Sequence, residues 1–309
     1  MTAAGKIDTH QHFFPRPYVE VVGMDALARQ MPNKRAPQWS PDAAIAMMDA
    51  HGIDEAILSV SSVPAEANTP TLLRSCNDSA AELRARHPGR FGSFASLPLP
   101  DIDASLKEVS YCFDELKVDG FIVFTSYGGR YLGDAHFTPL FEELDRRSAV
   151  VFVHPNDPSY AIPAIVPASV LEFPFETTRT AASLIISGAV GRYSGIRYIL
   201  AHAGGALPYM MPRLSLSIAM MPHVAELVGD PLQAVRTFYF DTALSVGAST
   251  LAALAQIADP SRILFGTDYP MAPEFVIAAS VEGLDRQSVA GLSTPHIFRH
   301  NAARLLKRN

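Results

Sequence analysis

A chain of 309 residues with 48% hydrophobic and 18% charged residues describes an ordinary globular protein with a substantial core, which excludes a disordered chain. The formal charge of −6 comes without any clustered Lys/Arg run, so neither a nucleic-acid partner nor an anionic membrane surface is expected. Two cysteines, Cys76 and Cys112, do not make a disulfide framework.

The segment 1–6 lacks the charged and apolar regions of a signal peptide, and no uninterrupted apolar run reaches the roughly 20 residues of a bilayer span. The expected location is the cytoplasm. Taken in chain order, short β-rich runs alternate with helix-like stretches from end to end. A strand over 6–10 leads into a Pro-rich stretch, 14–41, read as a loop. Ser40-Pro41-Asp42 then supplies an N-cap and a first-turn proline for a helix over 43–50, which Gly52 stops. A strand at 56–60 precedes a helix at 71–86, closed by His87-Pro88-Gly89. Strand 91–96 is followed by helix 103–116, strand 120–124 by helix 137–147, and strand 150–154 by a second Pro-rich loop, 155–174. Helix 177–190, strand 197–202, helix 207–220, strand 238–242, helix 249–258, strand 263–267 and helix 295–306 complete the series.

The strand runs are rich in Val, Ile, Leu and Phe, as parallel strands buried on both faces require. Strands alternating with helices imply a parallel sheet, and eight repeats favour a closed (β/α)8 TIM barrel over an open doubly wound sheet. About 250 residues is typical of that barrel, and no linker or composition shift marks a second domain, so 1–309 is read as one unit.

The chemistry-bearing residues fall at one end of these strands. In Ile7-Asp8-Thr9-His10-Gln11-His12-Phe13, side chains alternate across the strand, so His10 and His12 point to the same side. Alone, the pair equally describes two polar residues capping a strand. The fifth strand, however, ends in His154, the sixth in His202-Ala203-Gly204-Gly205, and the eighth run leads into Asp268. Any one of these is readily a satisfied core residue. All five at the same end of their strands would meet in the mouth of a barrel, where catalytic residues gather. His51, His87, His136, His223, His296 and His300 lie in or near helices and are read as surface or packing residues, while Trp39 and Tyr160 fall in loops of the mouth and are candidates to line a pocket.

The set of His-x-His after the first strand, His after the fifth and sixth and Asp after the eighth resembles the amidohydrolase superfamily. Phe175-Glu176-Thr177-Thr178, Ala201-His202-Ala203-Gly204-Gly205-Ala206-Leu207-Pro208 and Gly266-Thr267-Asp268-Tyr269-Pro270 are similar to its 2-amino-3-carboxymuconate-6-semialdehyde decarboxylase branch. That branch also holds the γ-resorcylate, 5-carboxyvanillate and 6-methylsalicylate decarboxylases, and Asp8 to Pro15 is most similar to the last of these. The resemblance implies His10, His12, His154 and Asp268 as metal ligands and His202 as a catalytic histidine that is not a ligand. Three imidazoles and a carboxylate suit one divalent ion, zinc first and manganese as its rival, with no organic cofactor. Many hydrolases of the superfamily bridge two metals with a carboxylated lysine ending the fourth strand; here that end has none, and Lys117 precedes the strand, so one metal is expected. The resemblance further places two arginines toward a substrate carboxylate. Arg35 lies four residues before Trp39, and Arg213 lies eleven after His202, where relatives supply an arginine across a dimer interface.

The implied activity is non-oxidative decarboxylation of a small aromatic or unsaturated carboxylic acid by a homodimer. Losing CO2 from an sp² carbon leaves an unstable carbanion unless that carbon is made tetrahedral first. Polarisation of an adjacent oxygen by the metal, or activation of a water with help from His202, would do this, with Asp268 as a proton carrier. Two other readings share the same residues. One is a lactonase, amidohydrolase or hydratase; the other is a metal-binding protein without catalysis, against which the non-ligand histidine argues.

Overall fold

The computed structural model describes residues 5–161 and 166–308. Residues 1–4 of the opening segment and 162–165 of the second Pro-rich loop therefore lie outside the described residues. The main sheet contains β1 (Lys6–His12), β2 (Ile53–Ser59), β3 (Phe91–Ser96), β4 (Gly120–Phe124), β5 (Val150–His154), β6 (Arg197–Leu200), β7 (Tyr239–Asp241) and β8 (Ile263–Leu264). Each strand pairs in parallel with the next, in the order of the chain. Beyond β8 the chain runs on beside β1 and closes the ring. Thr9 N–H donates to Phe265 O at 2.9 Å, Asp268 N–H to His10 O at 2.8 Å and His12 N–H to Tyr269 O at 2.7 Å. The fold is a (β/α)8 barrel.

Every residue of β3, β4 and β5 is buried, which explains why these strands are dominated by apolar residues, with Ser93, Ser96 and His154 as their buried polar members. Phe94 and Phe152 meet inside the barrel, with ring centroids 5.6 Å apart. Phe152 in turn lies edge-on beneath His10 at 4.9 Å, so the aromatic plug of the barrel is the floor of its mouth.

Strands β3, β4 and β5 fall where the sequence places them, and the ends that differ have local causes. The sixth strand stops at Leu200 because His202 and Ala203 turn to φ 55° and 56°, outside the extended region. The helix expected over 103–116 is α-helical at Ile102–Tyr111 and finishes as a π-turn, Cys112–Leu116. The 14–41 stretch is not a plain loop: it folds into helices Arg16–Val22 and Met24–Gln30. Helices Pro222–Val228, Pro231–Arg236 and Glu274–Arg286 are likewise additions to the sequence reading. Cys76 and Cys112 are free and buried. No helix among the described residues is long and apolar enough to cross a membrane.

Candidate active site

The strand ends bring His10, His12, His154, His202 and Asp268 together. His10 Nε2 and His12 Nε2 lie 3.1 Å apart, and both face Asp268 Oδ1, at 3.3 and 3.1 Å. The His154 ring stands edge-on to both, with centroids 5.1 Å from His10 and 4.7 Å from His12. His202 Nε2 is 3.7 Å from Asp268 Oδ2. One donor atom each from His10, His154, His202 and Asp268 all lie within 4.8 Å of one another, and His12 joins through its own contacts. The convergence expected from sequence is present in the fold.

Local backbone shape makes this possible. Asp268 sits at φ 62° and His202 at φ 55°, left-handed conformations that are uncommon for residues other than glycine. Gly266 lets the closing segment pass close to β1: a β-carbon there would come 2.8 Å from His10 Cβ. At Gly205, φ 64°, a β-carbon would meet Pro174 O at 2.0 Å, so the turn after His202 packs directly on the helix Glu172–Ile186.

The donor set fits a divalent cation. Two imidazole nitrogens and a carboxylate oxygen are turned toward one point in a buried site, while His154 Nδ1 and both ring nitrogens of His202 have no hydrogen-bond partner among the described residues. Buried polar atoms are ordinarily paired, so this arrangement asks for a ligand. The electrostatics agree. Burial disfavours charge on His10, yet the carboxylates of Asp241 and Asp268 outweigh it and raise its pKa to about 10. His12 and His154 are pushed down by burial, then by the neighbouring imidazoles in the case of His154, leaving neutral rings suited to ligation. Burial would raise Asp268, but His10, His12 and His202 hold it well below the usual carboxylate range. The positive charge these carboxylates favour is the charge a metal ion would bring.

Two acids behind the cluster are absent from the sequence reading. Asp241 Oδ2 accepts from His10 Nδ1 at 3.0 Å, and Asp8 accepts from the His10 backbone N–H at 3.0 Å. The signal for Asp241 exists: an acid closing the run Phe238-Tyr239-Phe240 is the same cue as Asp268 after β8.

Above the cluster opens a cavity of about 870 Å³, with His154, His202 and Asp268 at its base. Its walls are largely apolar, with Phe173, Met271 and Phe275 among them, and Arg35 also borders it. Arg213 is instead on the exposed face of helix Leu207–Ala219, away from the cavity of its own chain. Lys117 lies before β4, its Nζ donating to Asp114 O at 2.6 Å, as the sequence places it. Trp39 and Tyr160, candidate pocket residues, are not among the residues forming the cavity wall; Trp39 packs on Phe13, and Tyr160 donates to Glu176 Oε1 at 3.2 Å.

A closed barrel of eight parallel strands with a metal-competent histidine–aspartate cluster at one rim defines the class of this protein. The amidohydrolase family profile matches residues 7–308, and the chain belongs to that family. It is 37% identical over 320 residues to the 6-methylsalicylic acid decarboxylase of Aspergillus aculeatus, across 98% of this chain and 96% of the relative. The 6-methylsalicylic acid decarboxylase of Penicillium expansum is 39% identical over 283 residues, across 88% of this chain and 87% of the relative. A solved dihydroxybenzoic acid decarboxylase from Polaromonas sp. JS666, with bound manganese and the inhibitor 2-nitroresorcinol, is similar at a TM-score of 0.81 and 26% identity, covering 98% of this chain and 97% of that one.

Proposed function

We propose that this protein is a metal-dependent carboxy-lyase, a single-domain barrel that removes CO2 without an oxidant from a small aromatic carboxylic acid of the hydroxybenzoate type. The observation that carries the reading is the meeting of His10, His12, His154, His202 and Asp268 at the base of one apolar cavity. The near full-length likeness to decarboxylases of 6-methylsalicylic acid supports it.

His10, His12, His154 and Asp268 would hold one divalent ion. Zinc suits three imidazoles and a carboxylate, and manganese stands beside it because the Polaromonas decarboxylase carries that ion. When bound, the ion supplies Lewis acidity toward a substrate oxygen and orients the acid. The protein's own residues do the rest. The apolar walls seat the ring and exclude water, which strengthens every charge interaction at the base. Arg35, at the cavity border, offers a planar fork to the carboxylate. Asp268, ionised at rest, would relay to the ring carbon a proton taken up from His202, which we assign as a non-ligand acid–base group 3.7 Å away. His202 regains its proton from solvent, and the bond to CO2 breaks as the new C–H bond replaces it.

The active form in this reading is a homodimer. Tyr209, Leu216 and Met220 on and just past the helix Leu207–Ala219 are 84%, 59% and 80% exposed, an apolar stripe beside Arg213 that a second copy would cover. Arg213 would then reach the neighbouring copy's cavity. The test is direct: load the protein with zinc or manganese, offer a panel of hydroxybenzoates and carboxymuconate analogues, and measure CO2. Consumption of lactones or amides with no CO2 released would overturn the reading in favour of a hydrolase.

A further inference from the structure

Asp241 ends β7 and is fully buried. Its two oxygens have different tasks. Oδ2 accepts from His10 Nδ1 at 3.0 Å, while Oδ1 accepts the backbone N–H of His202 at 3.1 Å and of Ala243 at 2.9 Å. A carboxylate only accepts hydrogen bonds. In the neutral ring that a metal ligand must be, the proton of His10 therefore sits on Nδ1, and the Nε2 lone pair is left facing His12 Nε2 and Asp268 Oδ1. The other oxygen holds the backbone of His202, which with Asp268 is one of the two left-handed residues of the cluster, at φ 55°. His10 is the only ion-pair partner of Asp241 among the described residues. Packing alone would be met more cheaply by a neutral side chain, because burying a charge is costly unless it is paired and hydrogen-bonded. The room for this contact comes from the facing chain: a β-carbon on Gly266 would come 3.2 Å from Asp241 Cβ.

We infer that Asp241 is a positioning residue that serves both halves of the site at once, fixing the tautomer of His10 through Nδ1 and the backbone turn of His202 through its amide. The inference rests on the metal-site reading given under Proposed function. Partners of this kind orient a ligating histidine and govern metal affinity.

Asp241→Asn separates the two tasks. The amide oxygen still accepts from His202 and Ala243, but the NH2 group now faces His10 Nδ1. That nitrogen must accept, the proton moves to Nε2, and the lone pair is withdrawn from the cluster. Asp241→Ala removes both ties. The full-length proteins, stripped of metal, are titrated calorimetrically with MnCl2 and with ZnCl2, and kcat is measured at saturating metal. Melting curves of the metal-free proteins report folding.

Asp241→Asn is expected to melt cooperatively and to bind either metal about 10- to 100-fold more weakly than wild type. At saturating metal it should recover a higher kcat than Asp241→Ala. A purely structural role would lower the melting temperature and leave metal affinity unmoved, and that result overturns the tautomer role. Equal kcat for the two variants at saturation overturns the link to His202. Asp241→Ser replaces the alanine variant if that one does not fold. A wild-type protein that binds neither metal sinks the underlying site reading, and the inference with it.

Discussion

Asp8 and Thr267 stitch the first strand to the segment that follows the last: Asp8 Oδ2 accepts the Thr267 hydroxyl at 2.6 Å, and Oδ1 accepts its backbone N–H at 3.0 Å. Oδ1 also takes the N–H of His10, so the carboxylate that closes the barrel aligns the backbone of the cluster. Burial pushes Asp8 up to about 6 against the hydrogen bonds from Thr267 and His10. The seam of the barrel and the base of the site are one structure. Damage to either should register in both.

Gly266 is the sharpest probe of that seam. Alanine there places a methyl group 2.8 Å from His10 Cβ, and two strands must part to admit it. Overpacking of this kind costs about 1–3 kcal/mol. Urea unfolding should show the loss as a lower midpoint, accompanied by weaker metal binding. A variant with the wild-type midpoint and affinity would show that the close approach is not needed.

Asp268→Ala should keep the fold and lose the reaction. A positioned proton carrier contributes about 10²- to 10⁴-fold, and this residue is also assigned to the metal, so kcat should fall by at least the lower figure. Circular dichroism and a cooperative melt check the fold. Near-normal turnover removes Asp268 from the mechanism.

Metal removal is expected to act on stability as well as on rate. A ligand held only by the native state, at 100 times its Kd, adds about 2.7 kcal/mol. Dialysis against a chelator should therefore abolish CO2 release and lower Tm, and zinc or manganese should restore both. If Tm and activity survive chelation with no metal left by elemental analysis, His10, His12, His154 and Asp268 do not form the site assigned to them.

Arg213 allows a test of the shared cavity. Arg213→Ala and His202→Asn are each expected to be inactive alone. Mixed and re-associated, they should regain part of the wild-type rate, because one cavity in a hybrid dimer has both native residues. Hybrids verified by native mass spectrometry that remain inactive rule out the contribution of Arg213 to a neighbouring copy.

The sequence made the barrel legible because most strand positions are buried and apolar residues recur in every run; β3, β4 and β5 coincide with their runs residue for residue. It hid the added helices for a reason of chemistry. Pro222–Val228 and Pro231–Arg236 begin on a proline, while Arg16–Val22 and Glu274–Arg286 follow one at the N-cap. Proline reads as a breaker, yet in the first turn its missing N–H costs nothing and its fixed φ starts a helix. The cluster was legible because His154, His202 and Asp268 interrupt aliphatic runs. Asp241 interrupts one too, but its partner, His10, lies far away in the chain, and no local pattern ties them. Arg35, which the resemblance places toward a substrate, borders the cavity, whereas Arg213 is exposed on its helix and away from the cavity of its own chain.

Met31, Asn33, Arg35 and Gln38 border the cavity from the span between β1 and the helix Pro41–Ala50, whereas His10, His12 and His154 hang from barrel strands, and His202 and Asp268 from the turns just beyond them. One stretch of cavity wall is thus written on a length of chain that carries none of the five clustered residues. Change in that span can therefore reshape part of the wall without touching the residues at its base, which opens a route to altered selectivity that spares the cluster itself.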